Sequence, residues 1–100
     1  MAELLDDAAV RTALSDLTGW TGDTTAVKRT VKASDFPTAI RIVDDVATIA
    51  EASKHHPDID IRWRTLHFTL STHSAGGVTR KDVDLAEHID EIVARHAGGS

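Results

Sequence analysis

Asp58-Ile59-Asp60-Ile61-Arg62-Trp63-Arg64-Thr65-Leu66-His67-Phe68-Thr69-Leu70 is the stretch on which the fold turns. Ile59, Ile61 and Trp63 alternate with charged residues, and Leu66, Phe68 and Leu70 alternate with polar ones. The apolar positions are odd up to Trp63 and even from Leu66 onward. A strand keeps its faces in register with period two, so a turn or bulge must lie near Arg64-Thr65. Two antiparallel strands, tightly joined and each burying one face, satisfy the pattern.

Before this hairpin, Ser34-Asp35-Phe36-Pro37 supplies a capping residue followed by proline in a first helical turn. Phe36, Ile40, Val43, Val46, Ala47 and Ala50 recur at three- and four-residue spacing and predict a helix over about 35–53 with these side chains on its buried face. Further upstream, residues 26–33 suit an exposed strand, and Thr21-Gly22-Asp23 reads as a turn, which makes 19–33 a second hairpin. Leu4, Leu5, Ala8, Ala13, Leu14 and Leu17 give a loose helical spacing that ends at Thr18-Gly19. After the decisive hairpin comes the loop Ser74-Ala75-Gly76-Gly77. Thr79-Arg80-Lys81-Asp82 then has the spacing of a capping box, with Asp in place of the usual Glu. Leu85, Ala86, Ile89, Ile92 and Val93 form the apolar face of a last helix.

The predicted architecture is α+β: a four-stranded antiparallel sheet with three helices on one face, in the order α-β-β-α-β-β-α. His67, Thr69, Ser71 and His73 share the opposite, wet face of the last strand. Residues 1–100 make one domain, with about 96–100 as a flexible tail. So small a protein with an uncovered sheet edge invites strand pairing with a second subunit.

Composition removes several classes of function. A net charge of −5 with no long basic cluster argues against nucleic acid and against an anionic membrane surface. The absence of cysteine excludes disulfides and thiolate chemistry. No apolar run approaches the roughly 20 residues of a membrane helix, and the acidic start lacks the form of a signal peptide, so a cytoplasmic protein is expected.

The histidines carry the chemistry. His55 and His56 fall where the second helix gives way to a strand, His73 ends the last strand, and Asp82 opens the final helix. All stand at element termini, where side chains converge on a cleft without disturbing a core. Imidazoles titrate near neutrality, so one can donate a proton while another accepts. Pro57 holds His56 extended, so the two adjacent histidines diverge and play different parts. Taken singly, each has a plainer reading: a cationic helix end at His55-His56-Pro57, an exposed polar side chain at His73, a helix cap at Asp82 and core at Trp63. His67, His88 and His96 are read as strand face, helix surface and tail. A zinc site from His55, His73 and Asp82 matches a catalytic donor count, but no His-x3-His pair places two ligands on one helix face.

In order along the chain, Glu51-Ala52-Ser53-Lys54-His55-His56-Pro57, Trp63, His73 in Ser71-Thr72-His73, and Asp82 resemble the signature of the pterin-4a-carbinolamine dehydratases. Gly19-Trp20, Asp35-Phe36 and residues 66–73 are similar too, so the likeness spans about 14–93. The resemblance implies the same α-β-β-α-β-β-α fold, assembly as dimers through sheet edges and commonly as tetramers, and no metal or organic cofactor. It implies dehydration of a 4a-hydroxytetrahydropterin to the quinonoid dihydropterin, serving aromatic amino acid hydroxylases. It implies His55, His56 and His73 as catalytic residues, with His56, Asp82, Trp63 and Glu51 holding the pterin. Family members also act as non-catalytic partners, as a coactivator of a homeodomain transcription factor or in assembly of a carbon-fixing enzyme, which leaves a binding role as the alternative. Ile59 and Asp60 depart from the aromatic residues frequent at those positions.

Overall fold

The computed structural model describes residues 3–98. The elements run α1 (Asp7–Asp16), β1 (Trp20–Gly22), β2 (Val27–Lys32), α2 (Phe36–Ser53), β3 (Asp58–Arg62), β4 (Thr65–Leu70) and α3 (Arg80–Gly98). All strand pairs are antiparallel, in the order β1-β2-β4-β3, which leaves β1 and β3 as the edges. The predicted α+β order is the observed one.

The core is where the alternating pattern put it for β4 alone. Strand β3, expected to bury a face of its own, leaves Ile59 half-buried and Ile61 and Trp63 exposed, because it is an edge strand. Leu66, Phe68 and Leu70 of β4 are buried, with Val27 and Val31 of β2 beside them. Val46 of α2 and Ala86 and Ile89 of α3 close over that face, each fully buried. His67 points the other way and meets the Thr30 hydroxyl at 3.0 Å. No helix among the described residues is long and apolar enough to cross a membrane.

Three more expectations are corrected. The first helix is shorter than the leucine spacing suggested, because Asp6 caps it by accepting from the Ala9 N–H. Leu4 and Leu5 lie outside it and pair with the chain ahead of α3, Leu4 bridging Thr79 and the Leu5 N–H donating to the Val78 carbonyl. The second correction is the rotation of α2. Its buried face is Thr38, Ala39, Ile42, Val46 and Ala50, whereas Phe36 is 53% exposed and Ala47 is exposed. Helix α2 carries two apolar stripes at helical spacing, and the one with small Ala39 and Ala50 at its ends lies against the sheet. Third, α3 continues through His96 and Ala97 to Gly98, with the His96 Nε2 2.7 Å from Asp45 on α2. Of the expected flexible tail, residues 99–100 lie outside the described residues.

The β3–β4 turn comprises Trp63 and Arg64, one position earlier than the parity switch indicated. Trp63 has φ of +55°, a left-handed conformation that a bulky side chain adopts only at a cost. The Arg64 carbonyl accepts from the Ala33 N–H at 2.7 Å, tying the turn to the start of α2.

Candidate active site

Helix α2 ends in a Schellman arrangement. Lys54 is left-handed (φ +54°), its N–H donates to the carbonyls of Ala50 and Glu51, and the His55 N–H reaches the Ala50 carbonyl at 3.0 Å. This reversal aims His55 under the helix end and releases the chain into β3.

His55 meets Asp82 at the start of α3, with Nε2 2.6 Å from Oδ1. The carboxylate is fully buried, and the His55 side chain is 11% exposed. A charge so placed must have its lone pairs satisfied, and three donors do this. Besides His55, the Thr72 hydroxyl donates to Oδ2 at 2.8 Å and the Thr79 N–H donates to Oδ2 at 2.9 Å. The second of these is the reciprocal half of the capping box read from Thr79-Arg80-Lys81-Asp82. The Thr72 and Thr79 hydroxyls lie 2.7 Å apart. Since Thr72 spends its one hydrogen on Asp82, Thr79 is the donor between them.

That network fixes a tautomer. An ionised carboxylate only accepts, so the His55 hydrogen on this side belongs to Nε2 and the Nδ1 lone pair is turned away from Asp82. His56 does the same with a different partner: its Nε2 lies 2.9 Å from Glu51 Oε1, and both side chains are well exposed. The adjacent histidines therefore diverge, one onto a buried acid and one onto a surface acid.

His73 follows Thr72 directly and is exposed where Thr72 is buried. The loop it opens is tight. The Thr72 carbonyl accepts from the N–H groups of Ala75, Gly76 and Gly77, and the Thr72 N–H donates back to the Gly77 carbonyl at 2.9 Å. Gly77 is needed there, because a Cβ would stand 2.5 Å from the Thr24 carbonyl oxygen. His55, Asp82 and the base of His73 are thus brought together through Thr72.

Trp63 is not brought there. It is 87% exposed at the tip of the β3–β4 hairpin, while His55 and His73 flank the opposite end, where Asp58 pairs with Thr69. Five residues of strand at ~3.3 Å each separate the two ends. Asp82 is buried and fully engaged by its own chain, so it orients His55 rather than facing a cleft. Glu51 is occupied by His56.

Thr72 was missed from sequence; its signal was its position one before a candidate histidine at a strand end. A recess of about 190 Å³ beside His55 is lined by Ser53, Lys81, Asp84, Leu85 and His88, so His88, read as plain helix surface, stands at the site's margin. A larger hollow of about 460 Å³ lies elsewhere, between α1 and α3 around Leu5, Ala9, Ala13 and Leu17. It contains no histidine, and Arg80 at its rim is already paired with Asp84. Chemistry, not size, makes the recess beside His55 the candidate.

Comparison with known proteins gives the family of the chain. The family model described as pterin 4 alpha carbinolamine dehydratase matches residues 3–92, and the chain belongs to that family. A protein of Nocardia farcinica, provisionally named a pterin-4-alpha-carbinolamine dehydratase, is 60% identical over 90 residues, covering 90% of this chain and 95% of that one. A provisionally named relative from Roseiflexus castenholzii is 55% identical over 93% of this chain and 100% of its own. Among solved structures, the transcriptional coactivator/pterin dehydratase of Brucella melitensis superposes with a TM-score of 0.86 at 33% identity, over 89% of this chain and 97% of that one. A pterin dehydratase-like RuBisCO assembly factor of the alpha-carboxysome shares the fold, with a TM-score of 0.61 at 16% identity over 74% of this chain and 86% of that one.

Proposed function

We propose that this protein is a dehydratase acting on a 4a-hydroxytetrahydropterin, returning the quinonoid dihydropterin and water and so recycling the pterin used by aromatic amino acid hydroxylases. The observation that carries the reading is the His55–Asp82 pair on its buried threonine support. The reaction breaks the C4a–O bond and removes a proton from a ring nitrogen. Asp82 holds Nε2–H, so His55 Nδ1 takes the nitrogen proton, and the buried carboxylate stabilises the imidazolium that forms. His73 delivers a proton to the departing hydroxide, which leaves as water. His56, steadied by Glu51, holds the pterin ring. Proton transfers suffice, and no resident cofactor takes part.

The test follows decay of the 4a-carbinolamine by absorbance with wild type, His55→Ala and His73→Ala. A positioned acid or base contributes on the order of 10²–10⁴-fold, so each variant loses at least a hundredfold. Equal rates for all three proteins defeat the assignment. The names of the Brucella and alpha-carboxysome neighbours favour a second reading, a binding or assembly role on the same scaffold. Wild-type protein that fails to accelerate the decay would favour it.

A further inference from the structure

On the dehydration reading, on which this step rests, each turnover moves one proton from a ring nitrogen to His55 Nδ1 and another from His73 to the departing hydroxide. Substrate and products are then balanced, but the protein is not: His55 ends as imidazolium and His73 as neutral imidazole. His73 is exposed and regains its proton from solvent. His55 is only 11% exposed, and the buried carboxylate that stabilises its imidazolium also slows the proton's departure. Behind Nε2 there is no outlet. The hydrogen bonds there run from Thr79 to Thr72 to Asp82, and all three residues are buried. The proton leaves from Nδ1, and the opening beside His55 is the recess of about 190 Å³.

We propose that His88 is the relay that carries this proton from His55 to solvent and so readies His55 for the next turnover. Lys81, Asp84, Leu85 and His88 form one stripe on α3, at three- and four-residue spacing, and Ser53 at the end of α2 lines the recess with them. Among the described residues of that wall, His88 is the one imidazole besides His55. Imidazole both takes up and gives back a proton near neutrality, which is what a relay requires. The other polar groups do not serve. Lys81, as an ammonium, has no lone pair to offer. Asp84 is engaged by Arg80 at 2.9 Å, and the Ser53 hydroxyl donates back to the Ile49 carbonyl. The His88 side chain is 52% exposed, so it meets bulk water as well as the recess. Glu91 lies 3.7 Å from its Nδ1 and stabilises the ring while it carries the second proton. Of the remaining charged groups in the wall, Lys81 opposes that charge and Asp84 favours it. The recess is smaller than the roughly 300–1,000 Å³ of a whole ligand site, so it holds only part of a substrate. Once product has left, it has room for several waters at about 30 Å³ each. An N–H bond then breaks at His55 Nδ1, water passes the proton on, and an N–H bond forms at His88 Nε2. His88 releases that proton to buffer, so nothing is consumed.

The experiment compares wild type with His88→Gln, a change on an exposed helix face whose folding circular dichroism verifies. Initial rates at limiting and at saturating carbinolamine give kcat/KM and kcat. The relay works after product has left, so it bears on kcat alone, a split that a merely structural role does not produce. In dilute buffer too bulky for the recess, His88→Gln should lose about tenfold in kcat, less than the roughly 10²–10⁴-fold of a group acting on substrate itself. Its kcat/KM should stay at the wild-type value. Added imidazole should restore kcat in the variant and leave wild type almost unchanged. An unchanged kcat in dilute buffer overturns the relay. So does a joint fall in kcat and kcat/KM that imidazole does not repair, since His88 then holds substrate. Failure of the dehydration reading looks different: wild type gives no acceleration in any buffer, and the relay falls with it.

Discussion

Replacing Asp82 separates stability from chemistry at the site. Asp82→Ala removes three hydrogen bonds at once from a fully buried position. The capping bond from the Thr79 N–H is worth about 1 kcal/mol, and a bond to a charged group about 1.5–3 kcal/mol. With partial compensation within one network, the loss comes to about 3–5 kcal/mol. In a domain of this size each kcal/mol lowers Tm by roughly 4–8 °C, so the alanine variant melts about 12–40 °C below wild type. Asp82→Asn behaves differently. Its carbonyl oxygen still accepts from Thr72 and Thr79, so it loses only about 1–2 kcal/mol. Its amide donates to His55 Nε2, however, which moves the imidazole hydrogen to Nδ1 and takes away the lone pair proposed to act as base. Thermal unfolding by circular dichroism, run beside the carbinolamine assay, reads both effects. The asparagine variant should lose only about 1–2 kcal/mol of stability and be at least a hundredfold slower. An alanine variant within about 1 kcal/mol of wild type would refute the claim that this carboxylate anchors the start of α3. An asparagine variant of full activity would refute the tautomer argument.

Thr72→Val should lower stability by about 1–3 kcal/mol through an unpaired lone pair on Asp82, and Thr72→Ser should restore it, both read from urea midpoints. Lys54→Gly relieves a left-handed residue at the end of α2 and should stabilise by about 0.5–1 kcal/mol in the same titration, leaving the carbinolamine rate unchanged. Asp90 accepts from both the Trp20 indole and Arg29, joining α3 to β1 and β2; Asp90→Ala should cost about 2–4 kcal/mol and loosen Trp20, seen as a shift in its emission. The Thr38 side-chain and backbone hydrogen bonds at the start of α2 hold the Asp35 carboxyl below its ordinary value of 3.8. A depressed folded-state value means a contribution present above the ordinary value and lost as pH falls below it. Wild-type stability should therefore drop in that acid range more steeply than that of Asp35→Asn, which keeps the cap without titrating.

Much of this was legible in the sequence because it rests on local rules. The switch of apolar parity between Trp63 and Leu66 announced the hairpin, Asp35-Phe36-Pro37 the start of α2, and Thr79 to Asp82 the cap of α3. What periodicity could not choose was which of the two apolar stripes on α2 meets the sheet, since Phe36-Ile40-Val43-Ala47 and Ala39-Ile42-Val46-Ala50 fit a helix equally well. Only packing against β4 decides. The site was legible in part for the same reason. Residue types and order marked His55, His56, His73 and Asp82, but not that Asp82 would be sealed under Thr72, nor that Trp63 would end a strand's length away. Those facts depend on contacts between residues distant in the chain, and on a turn that places tryptophan where glycine is usual.

Removal of water from a pterin carbinolamine is the activity proposed for this chain. Generating the 4a-carbinolamine in the presence of increasing wild-type protein, and following the first-order decay of its absorbance, tests that claim directly. The rate constant should rise in proportion to protein concentration above the spontaneous rate. A rate constant that does not change with protein would contradict it.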